Sequence, residues 1–160
     1  FALESPHGRW RLAGWCWQWK RFYLRSFTRG GRQMSLHSLE NDVIRKRFEE
    51  PRIHFALVCA SSSCPWLQRE PFTAENLEKL LEAETRRYLN DSANVRVDER
   101  RKKVRLSKLF DWYGKDFGQS DAEIFRFVAR FNDALRPVAA GPAGWDIEYF
   151  DYDWSPNDLR

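Results

Sequence analysis

The residues with the greatest chemical potential lie close together near the middle of the chain. Cys59 and Cys64 are two of only three cysteines, and Ser61, Ser62 and Ser63 fill most of the space between them. A thiolate is a strong nucleophile, but it forms near neutral pH only beside a base or a positive field. Serine hydroxyls and successive backbone amides can hold an anion or an oxyanion. This stretch therefore predicts a thiol-dependent site, with Cys59 or Cys64 as the nucleophile and the serines as binding groups.

The nearest candidate for the base is His54, five residues before Cys59. The apolar, β-branched and aromatic residues of 53–58 predict a buried strand. Alternate residues of a strand share a face, so His54 and Cys59 would lie on opposite sides. His54 then becomes the base only if a bulge or twist turns it towards the thiol. Otherwise it is a buried histidine with its own partner, and His37, His7 or another residue supplies the base.

Two other roles for the cysteines stay open from the sequence. Cys59 can close a buried apolar face as a small hydrophobic side chain, and a disulfide between Cys59 and Cys64 can form across a flexible loop. The four residues between them differ from the two-residue spacing of thioredoxin-like and structural zinc motifs, so we predict no metal site. The chain also lacks a P-loop, a dinucleotide-binding fingerprint and a serine nucleophile elbow, and we predict no cofactor.

Composition indicates a globular chain of about one domain. Its 160 residues include 12 Phe, 8 Trp and 5 Tyr, which can bury a substantial core. Positive charge is concentrated in residues 1–34, which hold seven Lys or Arg and one acidic residue. Residues 35–160 hold 20 Lys or Arg and 22 acidic residues. Aromatic rings among cations can bind nucleic acid or a membrane surface. They also pack beneath the aliphatic stems of those cations; we prefer this interpretation and do not expect nucleic-acid binding.

Targeting signals are not evident in the sequence. No apolar run is long enough to cross a bilayer, and the first six residues lack the basic and apolar regions of a signal peptide. The chain begins without Met, which indicates a fragment or a processed product.

Hydrophobic spacing, caps and turn residues predict the elements that must position the site. The predictions are helices at 35–48, 73–89, 107–117 and 121–135, the last ended by Pro137; a tight turn at Gly30 and Gly31; a hairpin at 95–106; and an extended segment at 145–154. Apolar residues on both faces of 53–58 require cover on both sides.

We therefore predict a single α+β domain with a small mixed sheet. In it, strand 53–58 is central and helices 73–89 and 121–135 pack against it. The loop 60–65 lies at one end of the sheet, with Cys59 at the border of the core and Cys64 nearer solvent.

Four groups of residues occur in an order and with a spacing that are specific enough to compare with a known family. They are Met34-Ser35-Leu36 with Leu39-Glu40-Asn41-Asp42-Val43-Ile44-Arg45, Pro51 to Ser61 with Ser63-Cys64-Pro65, Leu106 to Tyr113 with Asp116-Phe117, and Asp151-Tyr152-Asp153-Trp154-Ser155. Together they resemble the uncharacterised family catalogued as domain of unknown function 547, over residues 31–155. Residues 1–30 then form a basic, Trp-rich N-terminal segment, which in part belongs to a truncated domain, and 156–160 form a tail.

The resemblance implies an α+β domain found in exported bacterial proteins and in plant proteins, some of which join it to a glutaredoxin-like domain. It implies an exported or periplasmic location but no established activity. Two features depart from the family pattern. Many relatives carry an Asn-x-Tyr-Asn helix that residues 1–30 lack, and some have His in place of Asn41. If the lacking helix supplies catalytic groups, this chain is an incomplete or inactive version.

The sequence leads to two functional expectations from different classes. The first is a thiol-dependent hydrolase or acyl/thiol transferase that acts on a small-molecule or peptide ligand. In it, Glu40, Asn41 and Arg45 of the matched helix form a wall of the site. A surface ion pair is the alternative for Glu40 and Arg45. The second is a non-catalytic binding or interaction module with structural cysteines.

Overall fold

The computed structural model describes residues 25–157. Within them the chain forms two compact units, one from residues 25–49, 59–64 and 153–157 and the other from residues 50–58 and 65–152. Helices occur together with one two-stranded and one three-stranded sheet, which confirms the predicted α+β class. The tryptophan cluster of the N-terminal segment lies outside the described residues, as do Cys16 and His7.

The first unit begins with an antiparallel hairpin of β1 (Ser26–Arg29) and β2 (Arg32–Ser35). Its turn is made by Gly30 and Gly31, whose φ angles are +55° and +75°. Glycine adopts positive φ at little cost, and this is why the paired glycines correctly predicted a tight turn here.

A helical stretch follows the hairpin directly. Ser35 caps it, because its hydroxyl accepts from the Ser38 amide while the Ser38 hydroxyl accepts from the Ser35 amide. The stretch consists of α1 (Leu36–Ser38), a π-helix (Leu39–Ile44) and α2 (Arg45–Arg47). The predicted helix at 35–48 is therefore confirmed in extent. The sequence did not predict its wider π turn, a form that often occurs at functional sites.

The prediction of a central strand at 53–58 is wrong. Residues Pro51–Phe55 form a 3₁₀ helix in the second unit. Pro51 suits its first turn, where no amide partner is needed, and the Glu50 carboxylate accepts from the Arg52 amide at 3.1 Å. A short apolar run fits a strand and a helix equally well, and the proline decides between them here.

The sheet of the second unit has the order β3–β4–β5. The hairpin of β3 (Val95–Asp98) and β4 (Lys103–Leu106) is confirmed, and β5 (Asp146–Tyr149) pairs parallel to β4. The sheet is mixed, as predicted, but β4 is its central strand. Accordingly, Val104 and Leu106 of β4 are fully buried, and Lys103 forms an ion pair with Glu148 of β5.

The helices of the second unit are shorter than predicted. They are α3 (Leu77–Leu89), α4 (Leu109–Trp112), α5 (Gly114–Phe117), α6 (Asp121–Ala129), a 3₁₀ helix (Asp133–Leu135) and α7 (Arg136–Ala140).

Three predicted helix limits need correction. The predicted helix 73–89 begins at Leu77, and the predicted helix 121–135 ends at Ala129. Asn132 caps the next 3₁₀ helix, since its side chain accepts from the Ala134 amide and donates to the Leu89 carbonyl. Pro137 lies in the first turn of α7 and does not end a helix. Among residues 25–157, no helix has both the length and the apolar character needed to cross a bilayer.

The core of the second unit is aromatic, and Phe55 lies within it. The centroid of its ring lies 5.1 to 6.4 Å from the ring centroids of four other aromatic residues, Tyr88, Phe110, Phe117 and Phe127. Such tilted and stacked pairs add to the free energy gained by burying the rings. The 3₁₀ helix at Pro51–Phe55 thus places Phe55 in the core without contributing a strand.

Candidate functional site

The two predicted nucleophiles lie side by side in the first unit. Cys59 Sγ and Cys64 Sγ are 2.8 Å apart, and the Cys59 amide donates to Cys64 Sγ, also at 2.8 Å. Two features close the loop: Ala60 adopts a left-handed conformation with φ of +61°, and the Cys64 amide donates to the Ser61 carbonyl at 3.0 Å. The loop therefore brings together two thiols that are five residues apart in the sequence.

The exposure of the two thiols reverses the prediction. Cys64 is only 6% exposed, and Cys59 is the more accessible of the two. The sequence argument placed Cys64 nearer solvent because it assumed a strand that runs out into an open loop. The left-handed turn at Ala60 instead folds the loop back, so that Cys64 lies inside it.

Residues 153–157, here called the closing segment, hold this loop by backbone hydrogen bonds. The Ser62 amide donates to the Ser155 carbonyl at 2.8 Å, and the Ser63 amide donates to the Asp153 carbonyl at 3.2 Å. In the other direction, the Asn157 amide donates to the Ala60 carbonyl at 2.9 Å. The amides that the sequence offered to an anion are thus committed to carbonyl groups of the protein.

The three serines have different surroundings. Ser61 is fully buried, with its Oγ 3.2 Å from Cys59 Sγ. The Ser62 hydroxyl lies 2.9 Å from the Ser155 hydroxyl, and the Ser63 hydroxyl accepts from the Asp153 amide at 2.9 Å. Of the three, Ser61 is the one whose hydroxyl lies beside a sulfur.

His54 belongs to the second unit, whereas the thiols belong to the first. Its Nε2 is 2.8 Å from Asp116 Oδ2, and its ring stacks on Tyr113 with centroids 4.1 Å apart. The side chain is 2% exposed. These contacts match the alternative in which His54 is a buried histidine with its own partner.

The predicted wall residues lie on the π-helix and α2 of the first unit. Asn41 donates to His37 Nδ1 at 3.2 Å and accepts from the Arg45 guanidinium at 2.7 Å. This arrangement assigns the proton of a neutral His37 to Nε2. Glu40 is 6% exposed, so it is a buried carboxylate.

Sequence reasoning missed the closing segment. Asp153 and Ser155 were part of a motif, but nothing local to them indicates that they pair with residues about 90 positions earlier. As for metals, the part of the chain that the structure describes contains no group of three or more His, Cys, Asp or Glu side chains placed to hold one.

The fold and the loop define an α+β protein with a pair of adjacent thiols. The model of the family described as "Protein of unknown function, DUF547" matches residues 6–89, more than half of the chain, and the chain belongs to this family. The match begins before the resemblance inferred from the motifs and ends before the hairpin of β3 and β4. It includes Cys59 and Cys64 but not the closing segment. No curated protein and no solved structure matches the chain.

Proposed function

We propose that the protein is a thiol transferase in which Cys59 and Cys64 exchange with a disulfide in a small-molecule or peptide ligand. The observation that carries this proposal is the 2.8 Å separation of the two sulfurs. A second thiol held this close to the first acts at a very high effective concentration, which favours intramolecular exchange.

The exposure of the thiols supports an order of reaction. As the more accessible sulfur, the Cys59 thiolate attacks one sulfur of the ligand disulfide, and the other sulfur leaves as a thiolate that takes up a proton. Cys64 then attacks the Cys59 sulfur of this mixed disulfide, which releases the second ligand thiol. Two electrons pass to the ligand, and the protein is left with a Cys59–Cys64 disulfide.

Acyl transfer and hydrolysis have less support in the same loop. Both need donors aimed at a developing oxyanion, whereas the amides of Ser62, Ser63 and Cys64 donate to protein carbonyls. Thiol exchange needs no oxyanion hole, because the charge develops on sulfur.

A specific observation favours a second candidate, a binding module with structural cysteines. Cys64 is buried and its sulfur accepts from the Cys59 amide, so the thiol contributes to the loop's own hydrogen bonding. In this case Cys64→Ala lowers stability by about 1–3 kcal/mol and leaves ligand binding intact.

Stoichiometric reaction of the reduced protein with dithiobis(nitrobenzoate), an aromatic disulfide that releases a coloured thiol, tests the exchange. In the wild-type protein Cys64 should resolve the mixed disulfide, so that two aryl thiols are released by the pair. In Cys64→Ser one should be released, and the other should stay bound to Cys59. Mass spectrometry of the peptide that contains Cys59 distinguishes these states.

The matched control is Cys16→Ser, which also removes one cysteine but leaves the pair intact. It should behave like the wild-type protein at Cys59. If the wild-type protein keeps the aryl adduct on Cys59 for as long as Cys64→Ser does, the exchange proposal fails and the structural role is supported.

A further inference from the structure

The Cys59 sulfur has a polar neighbour that a ligand cannot reach. Ser61 is fully buried, and its Oγ lies 3.2 Å from Cys59 Sγ. The left-handed backbone of Ala60 (φ +61°) turns the chain between them. This conformation is unfavourable for an alanine, so the hydrogen bonds around the loop must offset its cost.

We propose that Ser61 is a hydrogen-bond donor that promotes the thiolate of Cys59, and that it does not bind the ligand. This role rests on the proposed function, since it concerns the first step of the exchange. A thiolate carries no proton, so the Ser61 hydroxyl is necessarily the donor whenever Cys59 is ionised. A hydrogen bond to the charged form of an acid favours ionisation.

Each of the two sulfurs lies beside a different polar group of the loop. The Cys59 amide donates to Cys64 Sγ at 2.8 Å, whereas the Ser61 hydroxyl lies beside Cys59 Sγ. In the neutral pair the Cys59 thiol donates to Cys64 Sγ at 2.8 Å. Loss of that proton leaves Cys59 Sγ as an acceptor for the Ser61 hydroxyl. The Ser61 hydroxyl thus lies beside the more accessible of the two sulfurs, where it can stabilise negative charge.

The pH dependence of alkylation tests this role in the full-length, reduced protein. Iodoacetamide reacts with the thiolate, and peptide mass spectrometry gives the rate at Cys59 alone. In Ser61→Ala the midpoint of the rate profile should move to higher pH, and the rate at about pH 7 should fall about fivefold. The rate at high pH, where Cys59 is fully ionised, should stay close to the wild-type value and shows that the loop is intact.

Two further variants keep the inference falsifiable. Ser62→Ala removes the neighbouring hydroxyl, which pairs with Ser155 and not with a sulfur, and its midpoint should be unchanged. Ser61→Thr retains a hydroxyl and should keep the wild-type midpoint. A Ser61→Ala profile that superimposes on the wild-type profile would overturn the inference, and so would a folded Ser61→Thr protein whose midpoint has moved as far as that of Ser61→Ala.

The alkylation and exchange experiments can fail separately. Alkylation requires only the Cys59 thiolate, whereas release of the second aryl thiol requires Cys64. A shifted midpoint with no release therefore retains the role of Ser61 and rejects the transferase, and the opposite result rejects Ser61 alone.

Discussion

In the second unit apolar side chains fill the interior, whereas in the first unit the loop from Cys59 to Cys64 is held mainly by hydrogen bonds. Among the described residues, every buried apolar side chain except Cys64 belongs to the second unit. The loop instead depends on backbone and hydroxyl contacts with the closing segment.

This difference indicates how each region tolerates change. Hydrophobic burial is proportional to area and insensitive to direction, so it stabilises a unit without fixing individual atoms. Hydrogen bonds contribute less free energy each but depend strongly on angle and distance. The proposed exchange requires the two thiols to stay within reach of one another, and the second kind of contact suits this requirement better.

The largest expected effect tests the packed region. Phe55→Ala should lower the free energy of unfolding by about 3–5 kcal/mol, because it leaves a cavity among four aromatic rings. Leu57→Ala, two residues later, should cost less than about 1 kcal/mol, since Leu57 is 36% exposed. Urea denaturation measures both values. Similar losses for the two variants would instead suit a strand that buries both residues on one face.

A smaller effect tests the hydrogen-bonded region. Ser63→Ala removes the acceptor of the Asp153 amide and should cost about 1 kcal/mol. Hydrogen exchange at that amide should become about fivefold faster, because the loss is local. Ser62→Ala is the control and should leave exchange at Asp153 unchanged. If Ser63→Ala were as destabilising as Phe55→Ala, the contrast between the two regions would not hold.

The smallest effect concerns charge in the second unit. The Arg52 guanidinium, bonded to Glu50, holds the pKa of that carboxyl below its ordinary value. A depressed folded pKa contributes stability above the unfolded pKa, and this contribution is lost as the pH falls through the folded value. The free energy of unfolding of the wild-type protein should therefore decrease below about pH 4. In Arg52→Met this free energy should decrease less over the same pH range.

Lys46→Met provides the control for this charge effect. Lys46 pairs with Asp42 in the first unit, where both side chains are more than half exposed. Solvent screens such pairs, so the pH dependence of this variant should follow that of the wild-type protein. Denaturant unfolding at several pH values measures the stability of Arg52→Met and Lys46→Met and so compares their pH dependence. An equal change in both variants would mean that Arg52 is no better shielded from solvent than Lys46.

Local signals in the sequence were sufficient for several elements. The turn at Gly30 and Gly31, the starts of the helices near 35 and 121 and the hairpin at 95–106 were all predicted and are present. Each depends on residues a few positions apart, so the interacting groups are visible in the sequence itself. The two cysteines were also recognisable as the most reactive candidates, because few side chains share their chemistry.

Only the tertiary structure determined where those cysteines lie and which of them is exposed. The apolar run 53–58 suits a strand or a helix, and burial of Phe55 among distant aromatic rings accompanies the 3₁₀ form. The loop is closed by hydrogen bonds to residues 153–157, which lie about 90 positions away. Such contacts depend on the path of the whole chain, and so the composition of the loop could indicate thiol chemistry but could not indicate that Cys64 is buried.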